Sequence, residues 1–409
     1  MARPVSTSGD RRILPLLGPA FVAAIAYVDP GNVAANLTAG ARYGYLLLWV
    51  LVLANAMAVV VQYSCAKLGL VTGRSLPELM GARLRRGSRL AYWAQAEIVA
   101  AATDVAEVIG GALALYLLFG VPLPVGGLIV GAASMGLLSI QNRRGQRRFE
   151  HVIMALLAVI TLGFLAGLMF APPSPTAMLA GLVPRFAGID SVVLATSMLG
   201  ATVMPHAIYL HSALARDRHG ALDSTGGTRL LKATRIDVSV ALVVAGTVNI
   251  GMLLLAASTL AGVANTDSIE GAHSAITTAL GPVIGTVFAV GLLASGLAST
   301  SVGCYAGATI MSGLIRRQIP LLARRAITLA PAIVLLMLNV DPTWALVLSQ
   351  VVLSFGIPFA LFPLLRLTSQ ARTMGSQVNS RPLRWALATI AVSISALNLI
   401  LITLTVMPR

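Results

Sequence analysis

Apolar residues in this chain gather into long unbroken stretches, and the segments between them are short and rich in Lys, Arg and turn formers. About 20 mostly apolar residues carry a helix across the hydrocarbon core of a bilayer. On that measure the pattern predicts eleven spans, near 13–38, 45–66, 91–118, 122–141, 152–171, 189–213, 237–262, 282–312, 326–340, 343–365 and 385–407. The ninth is short, and Asp341-Pro342 supplies a tight turn into the tenth. The expected fold class is an all-α polytopic membrane protein.

The basic residues orient these spans. Of 29 Lys and Arg, 26 fall in one set of intervening segments, and the other side holds Arg42, Arg185 and Arg409. Cytoplasmic loops carry such an excess, so the N-terminus is expected inside and the C-terminus outside. One span more or fewer would scramble the partition. The first span has features of a secretory signal, with Arg11-Arg12 before an apolar run and Ala24-Ile25-Ala26 like a cleavage site. The run continues past that point and the charge partition needs the span, so it is expected to be retained.

Composition agrees with this picture. Apolar residues make up 57% of the chain, charged residues 11%, and the mean hydropathy is +0.86. Soluble proteins carry about 25% charged residues, so a soluble enzyme, a nucleic-acid binder and a disordered chain are all disfavoured. The net charge of +15 is then mostly a topology device, and no nucleic-acid partner is expected. Cys65 and Cys304 both lie in or beside apolar runs and read as free thiols.

Two interruptions of the apolar pattern carry chemistry. Tyr27-Val28-Asp29-Pro30-Gly31-Asn32 breaks the first span. A carboxylate at this depth costs about 2.5–3.5 kcal/mol on insertion scales. A proline kink accounts for Pro30 and Gly31 but not for the acid. The sixth span repeats the device in Gly200-Ala201-Thr202-Val203-Met204-Pro205-His206. Pro205 has no N–H and should free carbonyls a turn earlier, near Ala201 and Thr202. Interrupted helices in corresponding positions of two halves point to a transporter site. One carboxylate, one amide oxygen, freed carbonyls and one thioether suit a cation that accepts both oxygen and sulfur. Magnesium and calcium prefer oxygen shells, whereas later or softer divalent ions tolerate sulfur. Met204 is therefore the discriminator, and Gln350 in the tenth span is an occasional ligand.

A second polar group lies in the third span. Glu97, Asp104 and Glu107 share one face within about 80° at 3.6 residues per turn. Arg324 and Arg325, at the start of the ninth span, are candidate partners. Acid chains within a membrane mark proton relays, although a helix-orienting ion-pair network is the plainer reading. His206 and His211 flank the second break and are titratable near neutral pH. Asn55 and Asn249 are candidate polar lining.

Asp29-Pro30-Gly31-Asn32 and Met204-Pro205-His206, at this spacing in an eleven-span chain, resemble the Nramp family (natural resistance-associated macrophage proteins), and within it the bacterial proton-coupled manganese transporters. The resemblance spans nearly the whole chain. It implies a single LeuT-like transporter domain of two inverted five-helix repeats, about 13–171 and 189–365, with an extra helix at about 385–407. It implies no enzymatic activity and no resident cofactor, but symport of manganese or a similar divalent metal with protons, across a bacterial inner membrane, by a monomer in contact with membrane lipid. Carried over, Asp29, Asn32, Met204 and the carbonyls of Ala201 and Ala26 hold the metal, with Gln350 joining in some states. Asp104, with Glu97, Glu107, His206, His211, Arg324 and Arg325, carries the proton. The alternatives are a sodium- or proton-coupled amino-acid carrier of the same architecture, which fits Met204 opposite Asp29 poorly, and a magnesium-transporting relative, which would lack this methionine.

Overall fold

The computed structural model describes residues 16–144, 146–222, 227–315 and 321–406, and all their side chains except those of 138–144, 321–326 and 404–406. It is helical throughout, with no strand among the described residues. The first expected span is divided into α1 (Pro19–Ile25) and α2 (Pro30–Tyr43), joined by a 3-10 turn at Ala26–Val28. Then come α3 (Leu48–Thr72), α4 (Leu76–Arg83), α5 (Arg86–Phe119), α6 (Leu123–Arg144), α7 (Gln146–Leu165) and α8 (Pro175–Gly181). The sixth expected span is likewise divided, into α9 (Ile189–Thr202) and α10 (Pro205–His219). The chain continues through α11 (Gly227–Thr259), α12 (Ile269–Leu280), α13 (Pro282–Leu314), α14 (Leu321–Met337), α15 (Pro342–Thr368), α16 (Ala371–Met374) and α17 (Arg381–Val406).

Among the described residues, eight helices are long and apolar enough to cross a membrane. Three shorter apolar helices, Pro19–Val28, Leu123–Leu137 and Ile327–Met337, fall in the first, fourth and ninth expected spans. The protein is a multi-pass membrane protein. The turn at Asp341-Pro342 forms as expected: Asp341 caps α15 by accepting the Trp344 N–H at 2.7 Å. The first span runs five residues beyond its expected end, to Tyr43, where Gly44 at φ 57° stops it. Hydropathy did not foresee α4, α8, α12 and α16, which lie between spans. For α4 a local signal existed, because Ser75 and Glu78 form a reciprocal capping box.

Packing repeats itself with a shift of five spans. α3 packs on α10, and α11 on α1 and α2; α5 packs on α15, and α13 on α7; α15 packs on α9, and α7 on α1. Close seams are built on glycine, as in membrane helix pairs generally. A Cβ on Gly296 would lie 2.8 Å from Gly111 Cα, and one on Gly163 would lie 2.7 Å from Gly291 Cα. These seams join α5 to α13 and α13 to α7.

At the end of the bundle that carries Arg42, a clasp crosses the structure. Arg42 pairs with Asp267 at 2.7 Å, the Thr38 hydroxyl donates to the Asp267 carbonyl at 3.3 Å, and the Ile269 N–H donates to Thr343 at 3.0 Å. The loop before α12 is thereby tied to both α2 and α15.

Candidate functional site

The two breaks meet in the interior. Asp29 is fully buried and caps α2, its Oδ1 accepting the Asn32 N–H at 2.9 Å and the Asn32 side-chain amide at 2.6 Å. A carboxylate here faces the positive end of the α2 dipole. The same Asn32 amide donates to the Ala201 carbonyl at 2.9 Å. In an unbroken helix that carbonyl would accept from residue 205, which is a proline and has no N–H. Pro30 likewise has no N–H for the carbonyl of Ala26. The carbonyl ends of α1 and α9, the negative ends of their dipoles, therefore abut the break region, where they favour a cation.

Gln350 reaches the site from α15, donating to Asp29 Oδ2 at 3.3 Å. Gly31 makes that approach possible, because a Cβ there would run into the Gln350 amide. Met204 is fully buried at the start of α10, in the same apolar cluster as Ala26, Tyr27 and Val28. Two side-chain oxygens of this group, Asn32 Oδ1 and Gln350 Oε1, are buried without a hydrogen-bond partner. Orphaned buried acceptors cost free energy unless something satisfies them. A cation beside Asp29 would satisfy both. Among the described residues no three His, Cys, Asp or Glu side chains group as a metal centre. The arrangement thus gathers one carboxylate, two side-chain amides and the Ala201 carbonyl in one buried spot, with Met204 buried at the second break.

Two carbonyls of the first break are held by neighbouring helices. Asn249 on α11 donates to the Tyr27 carbonyl at 2.7 Å, and Ser295 on α13 donates to the Val28 carbonyl at 2.6 Å. Asn249 is therefore a brace for the break. Asn55 is not part of the lining: it is half-buried, bonds the Leu51 carbonyl of its own helix at 3.1 Å and packs against Gly246. Ser295, Gln62 and Asp237 were missed in the sequence, where each is one polar residue among several in its helix. Asp237 accepts the N–H groups of Gly18 and Ala20, both at 3.0 Å, and so holds the start of α1.

The acid face of α5 is inside the bundle, with Asp104 and Glu107 buried and Glu97 half-buried. Gly110 of the same helix lies against the Pro30 ring, so the acid helix touches the first break. His206 contacts Thr103 at 3.3 Å, one residue from Asp104. His211 turns elsewhere, donating to Gln62 at 2.7 Å, while the Gln62 amide donates to the Tyr27 hydroxyl. The two histidines therefore serve different neighbours. Arg324 and Arg325 fall in α14, but their side chains lie outside the described residues. Cys65 and Cys304 are both buried, and neither is in a disulfide.

Residues 20–404 match the family model of natural resistance-associated macrophage protein-like chains. The chain belongs to the Nramp family. Among Nramp relatives, a divalent metal cation transporter MntH of Mycobacterium tuberculosis is 62% identical over 392 residues, covering 96% of this chain and 92% of the relative. The crystal structure of the Eremococcus coleocola manganese transporter, 32% identical, superposes with a TM-score of 0.85 over 97% of this chain and 88% of its own. MhsT in complex with L-phenylalanine, 13% identical, shares the fold alone, with a TM-score of 0.65 over 98% of this chain and 99% of its own. This Nramp chain is thus a LeuT-fold transporter and not an enzyme.

Proposed function

We propose that this protein carries divalent transition-metal ions into the cytoplasm together with protons, by alternating access. Manganese is the foremost cargo, with iron, cadmium and cobalt as others. The observation that carries this reading is the pair of orphaned oxygens, Asn32 Oδ1 and Gln350 Oε1, flanking one buried carboxylate where two helix breaks meet. The names of the M. tuberculosis and E. coleocola proteins support the same cargo.

In this mechanism Asp29 supplies the charge that a desolvated divalent ion requires. Asn32, Gln350 and the carbonyls of Ala26 and Ala201 replace water, and Met204 disfavours calcium and magnesium. Arrival of the ion expels a proton from the Asp29 region. Asp104, Glu107 and Glu97, with His206 beside them and Arg324 and Arg325 beyond, conduct it away, and His211 is available on a separate branch. Metal and proton then travel partly different routes, so charged side chains do not trap the metal. An amino-acid carrier of this fold uses a half-helix N-terminus for its substrate carboxylate. Here Asp29 already occupies that position on α2, which counts against that reading.

The five-span shift in packing supports two inverted repeats, about 13–171 and 189–365, with the helix at about 385–407 outside them. The division of Lys and Arg supports eleven spans in a bacterial inner membrane, N-terminus inside and C-terminus outside. One chain supplies every proposed ligand, so the monomer is the working unit. The test is manganese uptake into proteoliposomes under an imposed proton gradient, read by a metal-quenched dye inside. Uptake that ignores the gradient, or the absence of any, would reject the symport reading.

A further inference from the structure

A cleft of about 780 Å³ opens between the end of α15 and the start of α17. Its polar wall is Arg366, Arg381, Arg384, Ser369 and Gln370, and its apolar wall includes Phe362 and Trp385. All three arginines belong to the Lys- and Arg-rich side of the sequence. No carboxylate lines the cleft, and none of the three arginines makes an ion pair among the described residues. The Ser369 hydroxyl oxygen is shut off from solvent and has no hydrogen-bond partner. Arg381 and Arg384 stand in the first turn of α17, a helix of 26 residues. Cations there oppose the positive end of the helix dipole. Three guanidinium groups and a helix start, with no anion to balance them, form an arrangement that a bound anion would stabilise from several directions at once.

The apolar wall says which anion. Trp385 is 73% exposed and Phe362 45% exposed, although both belong to helices that cross the bilayer. Exposed tryptophan at a span end marks the headgroup level of a membrane. A soluble phosphate would gain nothing from these rings, whereas a lipid places its phosphate among the arginines and its glycerol and upper chains against them. Arginine also suits the group, since its planar fork pairs bidentately with phosphate oxygens.

We infer that this cleft is a binding site for the phosphodiester headgroup of an anionic phospholipid, in the leaflet at the basic end of the protein. Arg366, Arg381 and Arg384 clasp the phosphate, and Phe362 and Trp385 hold the lipid backbone. The site is separate from the metal site and does not depend on the proposed cargo.

The test uses the purified full chain in neutral detergent, supplied with phosphatidylglycerol and phosphatidylcholine of identical acyl chains. Bound lipid is counted by native mass spectrometry. Phosphatidylglycerol is expected to outnumber phosphatidylcholine by about tenfold in the wild type. Arg381→Gln with Arg384→Gln should bring the ratio near parity, and Arg384→Lys, which keeps the charge and loses the fork, should fall between. The wild-type comparison stands alone if the double variant fails to insert. Equal retention of the two lipids by the wild type would overturn the proposal, as would a preference unchanged in an inserted double variant. Displacement of phosphatidylglycerol by an equal concentration of inorganic phosphate would overturn the lipid assignment.

Discussion

The side-chain amide of Asn32 bridges Asp29 and the carbonyl of Ala201, 169 residues away in sequence, at 2.6 and 2.9 Å. One neutral side chain thus couples the two helix breaks. The carbonyl it finds in the second break is the one that Pro205 leaves without its helical donor.

The first expected outcome follows from Asp29 being the carboxylate at that junction. Asp29→Ala should lower manganese uptake into proteoliposomes at least about a hundredfold, because a buried divalent ion without a counter-charge costs several kcal/mol. Manganese uptake within a factor of two or three of wild type would remove Asp29 from the mechanism.

Met204→Ala is expected to act differently, since a thioether is neutral and water can take its place. Manganese uptake should fall only about three- to tenfold, cadmium further, while calcium or magnesium begins to compete as the shell becomes all oxygen. Competition assays with calcium decide the matter: rejection as strong as in wild type would assign selectivity to the size of the site.

Gly31→Ala tests the approach of Gln350. The new methyl meets the far end of that flexible side chain and not backbone, so the fold should survive while the amide is pushed from Asp29. Manganese uptake should drop about tenfold, and Gln350→Ala in the same chain should recover part of it, a coupling that a double-mutant cycle measures. Additive losses would show that Gln350 does not act at the site.

Asp104→Asn keeps size and hydrogen bonding but removes the titratable group. Metal binding should persist, while metal-driven proton entry falls and the pH dependence of uptake flattens. A pH dye read beside manganese flux is the measurement. Undiminished proton entry would return the proton to His206, His211 or Asp29 and leave the acid face of α5 as helix-orienting ion pairing.

The Arg42–Asp267 clasp supplies a control on pH. The Arg42 hydrogen bond holds the half-exposed Asp267 carboxyl below the ordinary carboxylate range. A depressed carboxyl contributes above its unfolded pKa and loses its effect only as pH falls through the folded value. The clasp should therefore hold throughout about pH 5 to 8, and Asp267→Asn should leave the midpoint of the uptake profile in place. A shifted midpoint would mean that the clasp titrates in the working range.

Much of this site was legible in the chain because its chemistry is local. A proline beside a buried acid or a methionine, inside an apolar run, declares the break and names a candidate ligand. What was not legible depends on neighbours. Gln62, Ser295 and Asp237 are each one polar residue among several in a mostly apolar helix, and nothing in that context separates them from Asn55, which bonds its own helix. Only packing decides that Ser295 meets the Val28 carbonyl. The clasp was equally hidden, since Arg42 and Asp267 lie 225 residues apart.

The glycine seams divide the molecule mechanically. Where Gly111 meets Gly296 and Gly163 meets Gly291, main chain lies against main chain, with no side chain between to change rotamer and take up a displacement. α5, α13 and α7 should therefore keep their mutual positions and act as a stator. Glycine seams also join α10 to α3, at Gly69, and α9 to α15, at Gly200, but the breaks themselves are held by single hydrogen bonds from Asn32, Asn249 and Ser295, contacts that can be exchanged one at a time. The parts left free to turn are then the breaks that hold the proposed ion site, and the glycines that grip nothing chemically fix the frame around them.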